Sequence, residues 1–271
     1  MADKAKVTLT EEMETLLIPL YSKALGSRQP NPILEDKKAE EIVASVDYDF
    51  GKLKTPTKTV VMMSLRARKL DDDTRAFLAR HPNGVVLHLG CGLDSRCLRV
   101  DRGQADWIDL DMPQVIDLRR HFYTEDDHYH MIGSSVTDLA WIDSIDADGR
   151  PVLVVAEGLL MYLSEVDVKA LVLKLKERFP HCEMVADVFS VLTARSVGGH
   201  PGIQQTGAHV QWGIDNARDM EQWADGIRLQ EEWFFGDAAL DQLGLGYRLA
   251  FRLSGLIPAA RIAHRIVHFT L

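Results

Sequence analysis

The 271-residue sequence predicts an α/β fold: a doubly wound sheet, mostly parallel with an antiparallel C-terminal edge strand, plus N-terminal helices and a lid insertion. Three observations predict it. The opening 80 or so residues carry helical patterns and no strand pattern. From Val85 on, short branched apolar runs alternate with helical stretches, as parallel strands joined by crossover helices do. The first such run ends in Gly90-Cys91-Gly92, where a buried strand hands over to a tight loop that a ligand can approach. This is the Rossmann-like arrangement, whose ligands bind at the carboxyl ends of the strands.

Each element follows from its own pattern. Thr8 and Glu11 form a capping-box pattern opening a helix through TLTEEMETLLIPLYSKAL, and GSRQPNP ends it with two prolines and a glycine. Further helices are expected in DKKAEEIVASV and in TKTVVMMSLRARKLDDDTRAFLARH. After HPNG come five strand patterns, VVLHLG, ADWIDLD, YHMIGS, RPVLVVAEGL and CEMVADVF. The fourth is apolar on both faces, as a parallel strand buried between helices must be. Val168, Leu171, Val172, Leu175 and Phe179 make one apolar helix face behind Ser164 as cap. Residues 189–235 are glycine-rich and weakly periodic, with helix returning near Asp219, and read as an insertion over the site. YRLAFRLS and RIAHRIVHFTL are both expected as strands, the last at the antiparallel edge. The expected organisation is one domain, 1–271: a helical cap (1–82), a ligand-binding core (83–188), a lid insertion (189–235) and C-terminal strands (236–271).

Bulk properties narrow the function. A net charge of −9 argues against a nucleic-acid partner, whose footprint is a basic surplus. Cys91, Cys97 and Cys182 form no CxxC pair, so no metal site is expected, and the odd count suits a reducing compartment. The N-terminus lacks a signal-peptide pattern, and no apolar run reaches the roughly 18 residues of a membrane span. These features predict a cytoplasmic protein with no membrane partner, a monomer or homodimer.

Three acidic or glycine-bearing segments suggest the ligand. The dinucleotide fingerprint wants a third glycine, and Ser95 stands there instead. A Gly-x-Gly pair alone also fits an ordinary tight turn. ADWIDLDMP puts Asp109 and Asp111 at the end of the next strand, about 20 residues after Gly90, where a carboxylate accepts from ribose hydroxyls. An acidic residue ahead of Pro113 equally caps a helix. The reading favours Asp111 for the ribose and Asp109 for structure. Glu157 ends the most buried strand, where an unpaired charge is costly. A cationic ligand such as S-adenosylmethionine would pair with it; so would an arginine or a helix N-terminus.

LLIPLYSKAL, SLRARKLDDDTRAFLARHP, VVLHLGCGLDSR, IDLDMPQVI, SSVTDLAWID and AEGLLMYL occur in this order. Together they resemble the class I S-adenosylmethionine-dependent methyltransferases of the leucine carboxyl methyltransferase and tetracenomycin-type polyketide O-methyltransferase group. The likeness runs from about Leu16 to Val188 and more loosely through the C-terminus. It implies that Gly90 and Gly92 form the cofactor loop, that Asp111 holds the ribose and that Glu157 sits beside the methionyl portion. It implies that Arg66 holds the methionyl carboxylate with help from Lys23, and that Ser135, Val136 and Thr137 contact adenine. Two positions depart from the pattern: Ser135 and Ala67 stand where many relatives have aspartate and threonine. Arg96, closing the loop, reads as structural, tied to Asp94 or a nearby carboxylate.

The resemblance implies an O-methyltransferase that methylates a carboxylate or hydroxyl of a small metabolite, polyketide-like or other, and releases S-adenosylhomocysteine. A carboxylate acceptor is already ionised at neutral pH and needs no base, whereas a hydroxyl benefits from one. Candidates for a base or contact are His200, His209 and Tyr162; His128 and His130 read as surface residues. Arg195, Arg218 and Trp212 are candidates for shaping the acceptor pocket. Two alternatives stay open at this point, a nicotinamide-dependent oxidoreductase and a non-catalytic S-adenosylmethionine binder.

Overall fold

The branched apolar runs become the strands of a seven-stranded sheet in the computed structural model, which describes residues 11–100, 103–198, 209–238 and 243–271. The strands are β1 (Val85–Leu89), β2 (Asp106–Asp111), β3 (Tyr129–Gly133), β4 (Val152–Ala156), β5 (Cys182–Phe189), β6 (Arg228–Phe234) and β7 (His264–Thr270). Their order is β3-β2-β1-β4-β5-β7-β6. Pairing is parallel from β3 across to β5, and β7 runs antiparallel to both β5 and β6. The chain order reverses between β1 and β4, so the loops after these two strands flank the switch point where such sheets bind ligands.

The helices are α1 (Glu11–Ser27), α2 (Lys37–Ser45), α3 (Thr57–Arg80), α4 (Arg96–Val100), α5 (Pro113–Arg119), α6 (Ala140–Asp143), α7 (Glu165–Arg178), α8 (Val191–Gly198), α9 (Leu245–Gly255) and α10 (Pro258–Arg261). Period-two alternation along the strands divides the core into two layers. Leu87, Leu89, Val154 and Ala156 face a layer closed by Leu171, Val172 and Leu175 of α7. Val86, Leu153 and Val155 face the other, closed by Leu17 and Leu20 of α1, Ile42 of α2 and Leu70 and Phe77 of α3. Every β4 residue is buried, as its two-sided apolar pattern predicts. Ser164 caps α7 by accepting from the Asp167 amide.

The α/β class and the antiparallel C-terminal strand are as expected. Several segment assignments need correction. Thr8 of the expected capping box lies outside the described residues. YRLAFRLS, expected as a strand, lies in helix α9. Its apolar residues alternate, but Leu, Arg and Ala are good helix formers, and Tyr247, Leu249 and Leu253 are exposed with only Phe251 buried. A segment with so little to bury on a pleated face follows its helix propensity. The stretch 228–234, expected inside the insertion, is strand β6 and lies outside β7 in the sheet. Among its described residues, the segment 236–271, expected as strands, holds α9, α10 and a single regular strand, β7. Among the described residues, no helix is long and apolar enough to cross a membrane.

Candidate active site

The loop after β1 is built for close approach of its backbone. Gly90 and Gly92 have φ of +62° and +51°, a region that side chains other than glycine rarely adopt. The amides of Gly90 and Cys91 donate to the Leu110 carbonyl of β2, pinning the loop to the neighbouring strand end. The Gly92 amide donates to Asp111 Oδ2 at 2.8 Å, and the Met112 amide to Asp111 Oδ1 at 2.7 Å. Burial raises the Asp111 pKa, while these two amides work against the rise.

At the end of β4, Glu157 is surrounded by cations. Lys23 Nζ of α1 lies 3.1 Å away, Arg66 of α3 donates at 3.2 and 3.1 Å, and Arg96 of α4 completes the set. Burial works to raise its pKa, but Lys23, Arg66 and Arg96 outweigh it and hold the carboxyl well below its usual range. The network extends on both sides. Arg99 and Arg96 reach Asp71 at 2.7 and 2.8 Å, Arg99 reaches Asp36 at 2.7 Å, and Lys23 reaches Asp94 at 3.2 Å. Arg66 also reaches Asp187 of β5 at 3.0 Å. Four cations thus face five carboxylates, with no side chain of the nine more than 8% exposed. Asp94 Oδ2 is buried within 3.2 Å of Lys23 and Arg96, yet accepts a hydrogen bond from neither.

A cavity of about 440 Å³ opens over the switch point. Gly90, Gly92, Asp111, Glu157, Arg66 and Lys23 all line it, so six of the nine residues expected at the cofactor meet there. Ser135, Val136 and Thr137 do not. They follow β3 in a self-contained turn in which Ser135 Oγ meets Thr137 Oγ1 at 2.8 Å and Trp141 donates to the Val136 carbonyl. Tyr162 lines the cavity; burial pushes its phenol pKa up, so it is a donor at neutral pH.

Other expectations fare differently. His209 is exposed, and His200 lies outside the described residues. His128 and His130 are on the surface, His128 bonded to Asp106 at 2.8 Å. Trp212 belongs to the apolar core, Arg195 is exposed and Arg218 pairs with Glu221, so none of the three lines the cavity. Arg66 pairs with Glu157 and Asp187 and not with Asp71 or Asp72 of its own helix. Arg96 is fully buried, joining Asp71, Asp94 and Glu157. Asp109 bonds His88, Trp107 and Tyr129 and pairs with Arg119, all inside the fold.

Polar residues that sequence reasoning does not pick out include His88 and His264 on the cavity wall and Asp187 beside His264. His88 on β1, Asp187 on β5 and His264 at the start of β7 each interrupt an apolar strand. The reasoning that flagged Glu157 applies to Asp187 as well, because a carboxylate in a buried strand demands a partner. Asp187 has three: Arg66, His264 Nε2 at 2.7 Å and the Gly158 amide at 2.5 Å.

Residues 17–176 match the sequence model of the leucine carboxyl methyltransferase family. The chain belongs to that family. It is an S-adenosylmethionine-dependent O-methyltransferase. Along 97% of its length it is 42% identical to the tetracenomycin polyketide synthesis O-methyltransferase TcmP of Streptomyces glaucescens, covering 98% of that protein. It is 31% identical to the S-adenosyl-L-methionine-dependent methyltransferase dpfgK of Gibberella zeae, covering 86% of this chain and 85% of that one. Among solved structures, a DUF574 family protein from Streptomyces avermitilis superposes with a TM-score of 0.58 at 14% identity, over 96% of this methyltransferase and 99% of that chain. That likeness bears on the fold alone. The nicotinamide-dependent oxidoreductase and the non-catalytic binder find no support in these relatives.

Proposed function

We propose that this methyltransferase esterifies the carboxylate of a small molecule, with the methyl donor seated in the cavity over Gly90–Gly92. The observation that carries the reading is the convergence of Gly90, Gly92, Asp111, Glu157, Lys23 and Arg66, from separate segments, on one cavity wall. The donor set suits S-adenosylmethionine. The donor has a net charge of +1, and the buried network has one carboxylate more than it has cations.

In this reading Asp111 accepts from the ribose, the positive-φ loop lets the donor touch backbone, and Glu157 faces the methionyl ammonium. Arg66 and Lys23 turn to the methionyl carboxylate, to which a guanidinium fork is well matched. The turn at Ser135, Val136 and Thr137 reaches adenine by adjusting around the bound donor. When bound, S-adenosylmethionine supplies a methyl already activated by its sulfonium. The chain then has to align the acceptor oxygen and exclude water. α1 contributes Leu16, Ile18 and Leu20 to the cavity wall, β5 contributes Phe189 and α8 contributes Val197, so the start of the insertion acts as a lid on one domain.

Two observations favour a carboxylate over a hydroxyl. The matching family is a carboxyl methyltransferase family, and of the carboxylates that line the cavity Asp36, Asp94 and Glu157 are already engaged by cations while Asp111 accepts from two backbone amides. The acceptor is a small molecule, and with a net charge of −9 the protein is read as a cytoplasmic enzyme, monomer or homodimer, without nucleic-acid or membrane partners. The test is transfer of labelled methyl from S-adenosylmethionine to a panel of aromatic acids and phenols. Methyl esters release their label as methanol in mild base and methyl ethers do not. Base-labile label supports the reading; base-stable label alone overturns it.

A further inference from the structure

His264 has no role in the site described so far, yet it lines the same cavity. It starts β7 opposite Phe189 of β5, at the lid end of the wall. Its Nε2 meets Asp187 Oδ2 at 2.7 Å, and Asp187 is itself fixed by Arg66 and by the Gly158 amide. Phe189 and Phe235 hold the ring from the sides, with centroids 4.8 and 4.9 Å away. Among the described residues, Nδ1 has no hydrogen-bond partner. The imidazole is therefore oriented at one nitrogen and free at the other.

The groups around it decide what the free nitrogen does. Asp187 comes from β5, Arg66 from α3 through the shared Oδ2, and Tyr162 from the turn after β4, within the fields of both. On its own segment, Arg261 is turned to Asp237, and Arg265 to Glu232 and to the carbonyls of Ile214, Asp215 and Ile262. With the donor bound, the buried network is balanced in charge. An acceptor anion entering that cavity then needs a cation of its own.

We propose that His264 supplies it: the imidazole takes up a proton from solvent as the acceptor carboxylate enters, and donates from Nδ1 to a carboxylate oxygen while Asp187 holds Nε2. This rests on the carboxylate reading above. The carboxylate's other oxygen attacks the methyl carbon, the carbon–sulfur bond breaks and its electron pair stays on sulfur. The product ester is neutral, so the ion pair with His264 is lost. The proton returns to solvent as the product leaves. The surrounding rings of Phe189 and Tyr162 suit an acceptor with an aromatic body.

The test is calorimetric titration of 1-naphthoate and 1-naphthol into the S-adenosylhomocysteine-saturated protein. It is run near pH 7.5, toward the upper end of the range where imidazoles usually change charge. Two buffers of different ionisation enthalpy report proton uptake. Expected are net uptake on binding naphthoate, its loss in His264→Phe and His264→Gln, and naphthoate affinity about tenfold weaker in His264→Phe. His264→Gln keeps a neutral donor and regains part of the affinity. Both variants retain wild-type affinity for S-adenosylhomocysteine. Equal heats in the two buffers, unchanged naphthoate affinity in both variants, or no naphthoate binding would overturn the proposal. Naphthol binding more tightly than naphthoate would overturn it too, and recast His264 as a base for a hydroxyl. Failure of S-adenosylhomocysteine itself to bind would show separately, as the fall of the cofactor assignment on which this one depends.

Discussion

Arg96 and Glu157 form a buried ion pair that fastens the glycine loop to the end of β4, across 61 residues of sequence. Arg96 has no exposed side-chain surface, and Glu157 has 4%. Removing one partner of such a pair leaves the other charged and out of water, which costs about 3–5 kcal/mol. Arg96→Met also takes one partner from Asp71, which keeps Arg99. We expect it to lower the urea midpoint by that free energy with the m-value unchanged. A double change to Arg96→Met and Glu157→Gln costs less than the sum of the two, because it removes both charges. Additive losses would mean that the two side chains act independently.

Asp111 serves the loop and, in the proposed function, the ribose. Its carboxylate accepts from Gly92 and Met112 and still faces the cavity. Asp111→Ala should weaken S-adenosylhomocysteine binding by about 1.5–3 kcal/mol, the worth of hydrogen bonds to a charged group. Calorimetry on the folded variant reads this directly. Unchanged affinity would leave Asp111 as a loop anchor only.

Acid should destabilise the fold through Asp109. Burial works to raise its pKa, but Arg119, His88 and Tyr129 outweigh burial and hold it at about 2. An aspartate in the unfolded chain titrates at about 3.9. The folded value is the lower one, so the stabilisation is present above about pH 4 and is lost as pH falls through about 2. Glu157, also held low, acts in the same direction. Unfolding free energy measured from about pH 5 to about pH 2 should decline, and less steeply in Asp109→Asn. The same slope in the variant would remove Asp109 from the account.

Gly90 and Gly149 separate backbone strain from ligand contact. Both have positive φ, +62° and +70°. A Cβ on Gly90 would meet Leu159 Cδ1 at 3.0 Å, whereas one on Gly149 would meet nothing within 4 Å. Each alanine costs about 1–3 kcal/mol of backbone strain. Only Gly90→Ala should also reduce S-adenosylhomocysteine affinity, because only Gly90 lines the cavity. Equal affinities in the two variants would show that the loop backbone does not touch the ligand.

The parallel sheet was legible because each strand up to β5 is a short branched run, and burial on both faces leaves no room for polar positions in β4. The cofactor side was legible where chemistry is local: two glycines after a strand, and Asp111 and Glu157 at strand ends. What escaped depends on contacts far apart in sequence. β6 looked like part of an insertion because its residues are polar and half-exposed, and it becomes a strand only by pairing with β7. Asp187 and His264, 77 residues apart, acquire meaning only when β5 and β7 lie side by side. The insertion is where the sequence points for a histidine, yet His209 is exposed, and the histidines on the cavity wall are His88 of β1 and His264 of the chain's last strand.

The central claim is that the cavity over Gly90–Gly92 holds an adenosyl sulfonium and its product. Thermal unfolding with S-adenosylhomocysteine and with NAD, backed by titration calorimetry, tests it most directly. S-adenosylhomocysteine at about 100 times its dissociation constant should stabilise the protein by about 2.7 kcal/mol, and NAD should leave the melting temperature where it was. Stabilisation by NAD, with none from S-adenosylhomocysteine, would contradict the account.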